Sequence, residues 1–135
     1  MRRDFAVEAM EEMGRSNRKG KTNTELLKTI EELRRVSREN NAPVWRAVAR
    51  RLEGPLRNWA EVNLDHASAC VKEDEVGVVP GKVLGDGTAR KGLRLAAFRF
   101  TKSAREKLAA SGGAAMALTE LAESNPRGSR VVILG

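Results

Sequence analysis

The chain has 135 residues, of which 41% are hydrophobic but only Phe5, Trp45, Trp59, Phe98 and Phe100 are aromatic, so it is long enough to bury one core and that core must be aliphatic. It carries 25 Lys+Arg against 18 Asp+Glu, a net charge of +7, and a pI near 10.2, which points to a polyanionic partner, nucleic acid before membrane. Cys70 is the single cysteine, which excludes an intramolecular disulfide and fits a reducing compartment. No apolar run approaches the ~18–20 residues that cross a bilayer, and Arg2-Arg3 leads into no apolar signal region, so a cytoplasmic protein is expected.

Residues 1–13 place Phe5, Ala9, Met10 and Met13 at near-helical spacing opposite Glu8, Glu11 and Glu12, a short amphipathic helix that would be marginal alone. Residues 14–23 hold Arg15, Arg18, Lys19 and Lys21 with no acid and no aliphatic side chain, so this stretch is expected to stay disordered until an anion holds it. Thr24 to Asn40 is the clearest helix, with an apolar stripe of Leu26, Leu27, Ile30, Leu33 and Val36 or Ser37, Thr24 as N-cap, and Arg34, Arg35 and Arg38 in the C-terminal part, where cations suit the helix dipole. Asn40-Asn41-Ala42-Pro43 breaks it. A second helix is predicted from Pro43 to Leu52, burying Trp45, Val48, Ala49 and Leu52, exposing Arg46 and Arg50 at i, i+4 with Arg51 nearby, and ending at Gly54-Pro55.

Beyond residue 55 the elements shorten. A strand is expected over 59–64, a helical turn or two over 65–71, and an acidic bend at Glu73-Asp74-Glu75. Val76 to Val79 and Val83-Leu84 are read as two short strands around a tight turn at Val79–Lys82, type II by preference, because Pro80 fixes its own φ and Gly81 can take a positive one. Gly85-Asp86-Gly87 closes this corner with a second turn. A strand over 93–100, a helix over 101–110, a strand over 114–118, a helix over 119–124, a turn at 125–128 and a strand over 130–134 complete the chain. The class is α/β: a basic N-terminal extension (1–23), then one globular domain (24–135) of two helices followed by an irregular repeat of short strands and short helices.

Catalytic and cofactor motifs fail on inspection. Gly81-Lys82 lacks the spacing and the hydroxyl of a Walker A loop, and Gly81, Gly85 and Gly87 do not match the Gly-x-Gly-x-x-Gly fingerprint. His66 and Cys70 stand at i, i+4, but zinc needs three or four such ligands and the chain has no other His or Cys. Adjacent acids at 73–75 point in different directions and make a poor acid/base pair. No enzyme, metal site, cofactor or small-molecule substrate is therefore expected. What remains are cations in polar company: Arg15, Arg18, Lys19, Lys21, Arg46, Arg50, Arg51, Arg57 beside Trp59 and Asn63, and Lys82 at the shoulder of the glycine corner. Separate arginines of this kind suit phosphate and ribose contacts on folded RNA. Trp59 is either a base-stacking platform or a core residue.

Five blocks then come in order: Lys21-Thr22-Asn23 before a helix, Val44-Trp45 opening the next, Ala60-Glu61-Val62-Asn63-Leu64, Val78 to Gly87, and Asn125-Pro126-Arg127-Gly128-Ser129-Arg130. Over about residues 20–135 they resemble the archaeal and eukaryotic large-subunit ribosomal protein eighteen, a relative of bacterial large-subunit protein fifteen. The resemblance implies a structural, non-enzymatic constituent of the cytoplasmic ribosome that contacts large-subunit ribosomal RNA and neighbouring large-subunit proteins. By position it implies RNA-facing or turn-defining roles for Lys21, Thr22, Asn23, Asn63, Gly81, Lys82 and Gly85; Pro80 and Gly87 are structural turn residues on the turn chemistry alone. Residues 1–13 depart from the family pattern and take no role. The rival expectation is a free-standing basic protein that binds DNA or chromatin.

Overall fold

The computed structural model of the protein describes residues 24–135. The expected helix over 1–13 and the basic segment holding Arg15, Arg18, Lys19, Lys21, Thr22 and Asn23 lie outside the described residues.

Helix α1 (Thr24–Asn40) buries Leu26, Ile30, Leu33, Val36 and Ser37, while Leu27 points out at 49% exposure, so the apolar stripe is narrower than the sequence suggests. The helix stops because Asn41 takes a left-handed φ of 50°, one of the few non-glycine residues that tolerate it. The Ala42 amide then donates back to the Ser37 carbonyl at 3.0 Å, the bond that satisfies an orphan carbonyl in a Schellman-type end. Helix α2 (Pro43–Glu53) follows at once, with proline in its first turn and Trp45, Val48, Ala49 and Leu52 buried. The Trp45 indole donates to the Pro126 carbonyl at 3.0 Å, which fastens α2 to the 125–128 turn.

The rest of the chain supplies β1 (Ala60–Asn63), α3 (Leu64–Cys70), β2 (Val76–Leu84), β3 (Arg94–Phe100), α4 (Lys102–Ala110), β4 (Ala114–Ala117), α5 (Leu118–Ser124) and β5 (Val131–Ile133). All strand pairings are parallel, in the order β1-β2-β3-β4, with β5 also on β2. The strands β5 and β1 share one edge of β2, β5 along Val76–Val78 and β1 along Gly81–Leu84. Parallel sheets bury both faces, and here each face has its own core. Helices α1, α2 and α5 cover one side with Leu33, Trp45, Leu52 and Leu118 among the buried residues. On the other, α3 and α4 bury Leu64, Ala67, Ala104 and Leu108 against Val79, Val83 and Leu95.

The α/β class, the two leading helices and the short alternating elements after them are as expected. The tight turn at Val79–Lys82 is not. The chain runs straight through Pro80 and Gly81 as one nine-residue central strand, buried from Val76 to Gly81. Gly81 is absent from the positive-φ residues, whereas Gly87 has φ +88°. Pro80 is accommodated because the β2–β3 register shifts between Val79 and Lys82, and because the opposite neighbour changes there from β5 to β1. A missing amide is tolerated at such a break. Gly81 is required for space: a Cβ there would stand 2.1 Å from the Ala60 carbonyl oxygen. Gly85 serves the same end, since a Cβ would meet the Ser103 hydroxyl at 1.8 Å where α4 begins.

Candidate nucleic-acid interface

The connection between α1 and α2 is two residues long, so the helices run back along each other and juxtapose their polar faces. Arg34 and Arg38 stand at i, i+4 on α1, and Arg46 and Arg50 at i, i+4 on α2. These four side chains line one groove of about 210 Å³. Like charges at this spacing destabilise a helix by roughly 0.2–0.5 kcal/mol per pair, so the arrangement works against the isolated protein. Only Arg34 has a carboxylate partner, Glu53; Arg38, Arg46 and Arg50 make no ion pair or hydrogen bond among the described residues. Arg35, on the same helix, shows the ordinary alternative. It is held between Glu32 and Glu39, with Nη1 2.7 Å from the Glu39 carboxylate, and the hydrogen bond and charge of Glu32, then the charge of Glu39, raise its pKa.

The other predicted residues do not gather at this groove. Arg51 turns away, its Nη1 donating to the Gly135 carbonyl at 3.1 Å. Arg57 is exposed on the short 3-10 turn Leu56–Asn58. Trp59 belongs to the core: its indole donates to the Leu52 carbonyl at 3.2 Å and its ring meets Phe98 edge-on at 5.5 Å, so the stacking-platform alternative is set aside. Asn63 caps α3, its side chain accepting from the His66 amide at 2.8 Å. Lys82 is exposed on β2, between Glu61 of β1 and Arg99 of β3. Arg99 pairs with Glu25 at the start of α1, at 3.1 Å, whereas Arg34 and Arg38 lie roughly 14–20 Å further along that helix. Lys82 and the groove are therefore separate basic points.

The Gly85–Gly87 loop is a structural joint. Lys107 Nζ donates to the carbonyls of Gly85 at 2.8 Å and Gly87 at 2.9 Å, and the Thr88 amide donates to the Asp65 carboxylate at 2.9 Å. A Cβ on Gly87 would meet that same carboxylate. These bonds tie the loop to α3 and α4 through its carbonyl oxygens and through Thr88. His66 and Cys70 approach to 3.7 Å on an exposed turn of α3, and among the described residues no group of three or more His, Cys, Asp or Glu could hold a metal. No helix among them is long and apolar enough to cross a membrane.

Sequence reasoning found Arg46 and Arg50 but read Arg34 and Arg38 only as dipole complements. The signal that identifies the quartet is the repetition of an i, i+4 arginine pair on both helices of a hairpin with a two-residue link.

Comparison with known proteins gives a consistent result. Residues 6–135 match the family described as ribosomal protein 60S L18 and 50S L18e, so residues 6–13, expected to depart from the family pattern, fall within the match. A large ribosomal subunit protein eL18 from Methanopyrus kandleri is 47% identical over 120 residues, covering 85% of this chain and 94% of the relative. The proteins of that name from Methanoregula boonei and Archaeoglobus fulgidus are 45% and 42% identical over 114 residues, covering 84% of this chain and 94% and 97% of their own lengths.

Proposed function

The chain belongs to the family of ribosomal protein 60S L18 and 50S L18e, and on that premise we propose that it is a structural constituent of the large ribosomal subunit that binds ribosomal RNA through basic residues and stabilises its folded form. The mechanism is charge neutralisation: lysine and arginine side chains replace the counterions of the RNA and let its segments pack closely. The observation that carries this reading is the arginine groove, in which Arg38, Arg46 and Arg50 crowd together without a carboxylate among the described residues, on a chain of net charge +7. Arg57 and Lys82 add exposed cations elsewhere on the surface. Arg15, Arg18, Lys19 and Lys21, with the polar Thr22 and Asn23, contribute a further basic run in the N-terminal segment. The partners are large-subunit ribosomal RNA and the ribosomal proteins beside it, and the role calls for no catalytic step.

The test is a choice between polyanions. At physiological salt the full chain is expected to bind large-subunit ribosomal RNA at least about tenfold, or about 1.4 kcal/mol, more tightly than duplex DNA of similar length. Equal affinity for the two would favour the free-standing DNA-binding protein.

A further inference from the structure

We propose that Arg38, Arg46 and Arg50, with Arg34 steadied at their edge by Glu53, form a clamp for the phosphodiester backbone of RNA that grips successive phosphates of one strand across the α1–α2 junction. This rests on the RNA-binding reading above and names its site. The guanidinium group is a rigid fork whose donors match phosphate oxygens two at a time, and here four forks line one groove. Each helix supplies two of them one turn apart, a rise of roughly 6 Å, which is the scale of the step between neighbouring phosphates of a strand. The two helices bring the pairs face to face. Among the described residues the lining consists of arginines alone, with no aromatic ring to stack a base, so the clamp fixes position and reads no sequence. Among the described residues, Arg34 alone of the four has its charge answered by a carboxylate, through Glu53, and Arg38, Arg46 and Arg50 have no ion pair. An acidic protein segment could present oxygens too, but phosphates are delivered at a regular spacing along a strand, which a paired i, i+4 array fits.

The test compares two charge-matched triple variants of the full chain. One carries Arg38→Gln, Arg46→Gln and Arg50→Gln. The other carries Lys72→Gln, Lys91→Gln and Arg94→Gln, three exposed cations on other parts of the surface. Both are titrated with large-subunit ribosomal RNA over a salt series, and both are melted. The clamp variant is expected to melt no lower than the parent, because it removes like-charge crowding. Its RNA affinity is expected to fall at least about tenfold further than the control's, and its log–log salt slope to become shallower by about 1.4–1.8, the share of two phosphates. Equal losses in the two variants would overturn the clamp and leave only a net-charge effect. RNA affinity like the control's, combined with failure to be retained in the large subunit, would overturn it in favour of an acidic protein neighbour. A parent that shows no preference for RNA over duplex DNA would overturn the reading beneath it, an outcome that does not depend on either variant.

Discussion

Gly81→Val is expected to lower the melting temperature by roughly 10 °C or more, the shift that a loss of about 2–4 kcal/mol produces in a domain near 100 residues. Gly81 is paired with Ala60 across the β1–β2 ladder, and a Cβ on it would stand 2.1 Å from the Ala60 carbonyl oxygen and 2.9 Å from the Ala60 nitrogen. These are backbone atoms of the neighbouring strand, so no rotamer change relieves the contact. The β1 strand must move off, losing ladder bonds of about 1 kcal/mol net each and opening the core around Val62 and Val83. Because the first added carbon makes the clash, Gly81→Ala is expected to share most of the loss. Gly112 provides the contrast. Its φ is +78° but a Cβ there meets nothing within 4 Å, so Gly112→Ala carries only the left-handed backbone penalty of about 1–2 kcal/mol. Lys82→Ala, beside Gly81 but exposed, should stay within ~0.5 kcal/mol of the parent. Thermal melts followed by circular dichroism read all four; a Gly81→Ala protein that melts with the parent would mean that the strands do not approach as described.

Affinity for large-subunit ribosomal RNA is expected to fall by about three decades between 50 and 200 mM salt. If about six phosphates are contacted, counterion release sets the log–log slope near −4 to −5. The cations that would supply those contacts are spread over the chain: Arg38, Arg46 and Arg50 in the groove, Arg57 and Lys82 elsewhere on the surface, and the basic run from Arg15 to Lys21. Exposed charges act through screened electrostatics, so the loss should be steep. A slope shallower than about −2 would show that the basic balance is not the binding surface.

The residues that were easiest to read are those whose role is local. The apolar spacing of Leu26, Ile30, Leu33 and Val36 and the proline opening α2 each depend on neighbours a few positions away. They appear where periodicity and capping put them. Val76 to Leu84 misleads as sequence because its meaning is not local. Proline followed by glycine is a turn signal for an isolated peptide. In this chain the same pair marks the place where β2 exchanges β5 for β1 on one edge and shifts register on the other, and both events depend on strands distant in sequence. Gly81 and Gly85 stand out in the sequence as turn glycines, but both are required by the close approach of distant backbone or side chain. The candidate site shows the same division. Arg46 and Arg50 were visible as a pair on one helix, but their meeting with Arg34 and Arg38 arises only when the hairpin closes. Asn63 and Trp59, which looked available for RNA, turn out to be engaged by the His66 amide and the Leu52 carbonyl.

Residence of this chain in the large ribosomal subunit is decided by sedimentation. A lysate of the source cells is layered on a sucrose gradient at moderate salt, and the protein is quantified in each fraction. Nearly all of it is expected to migrate with the large subunit and with whole ribosomes, and to be stripped only as salt rises toward the range where its RNA affinity collapses. A protein found at the top of the gradient, or with chromatin, while other large-subunit proteins remain in the particle would contradict that residence.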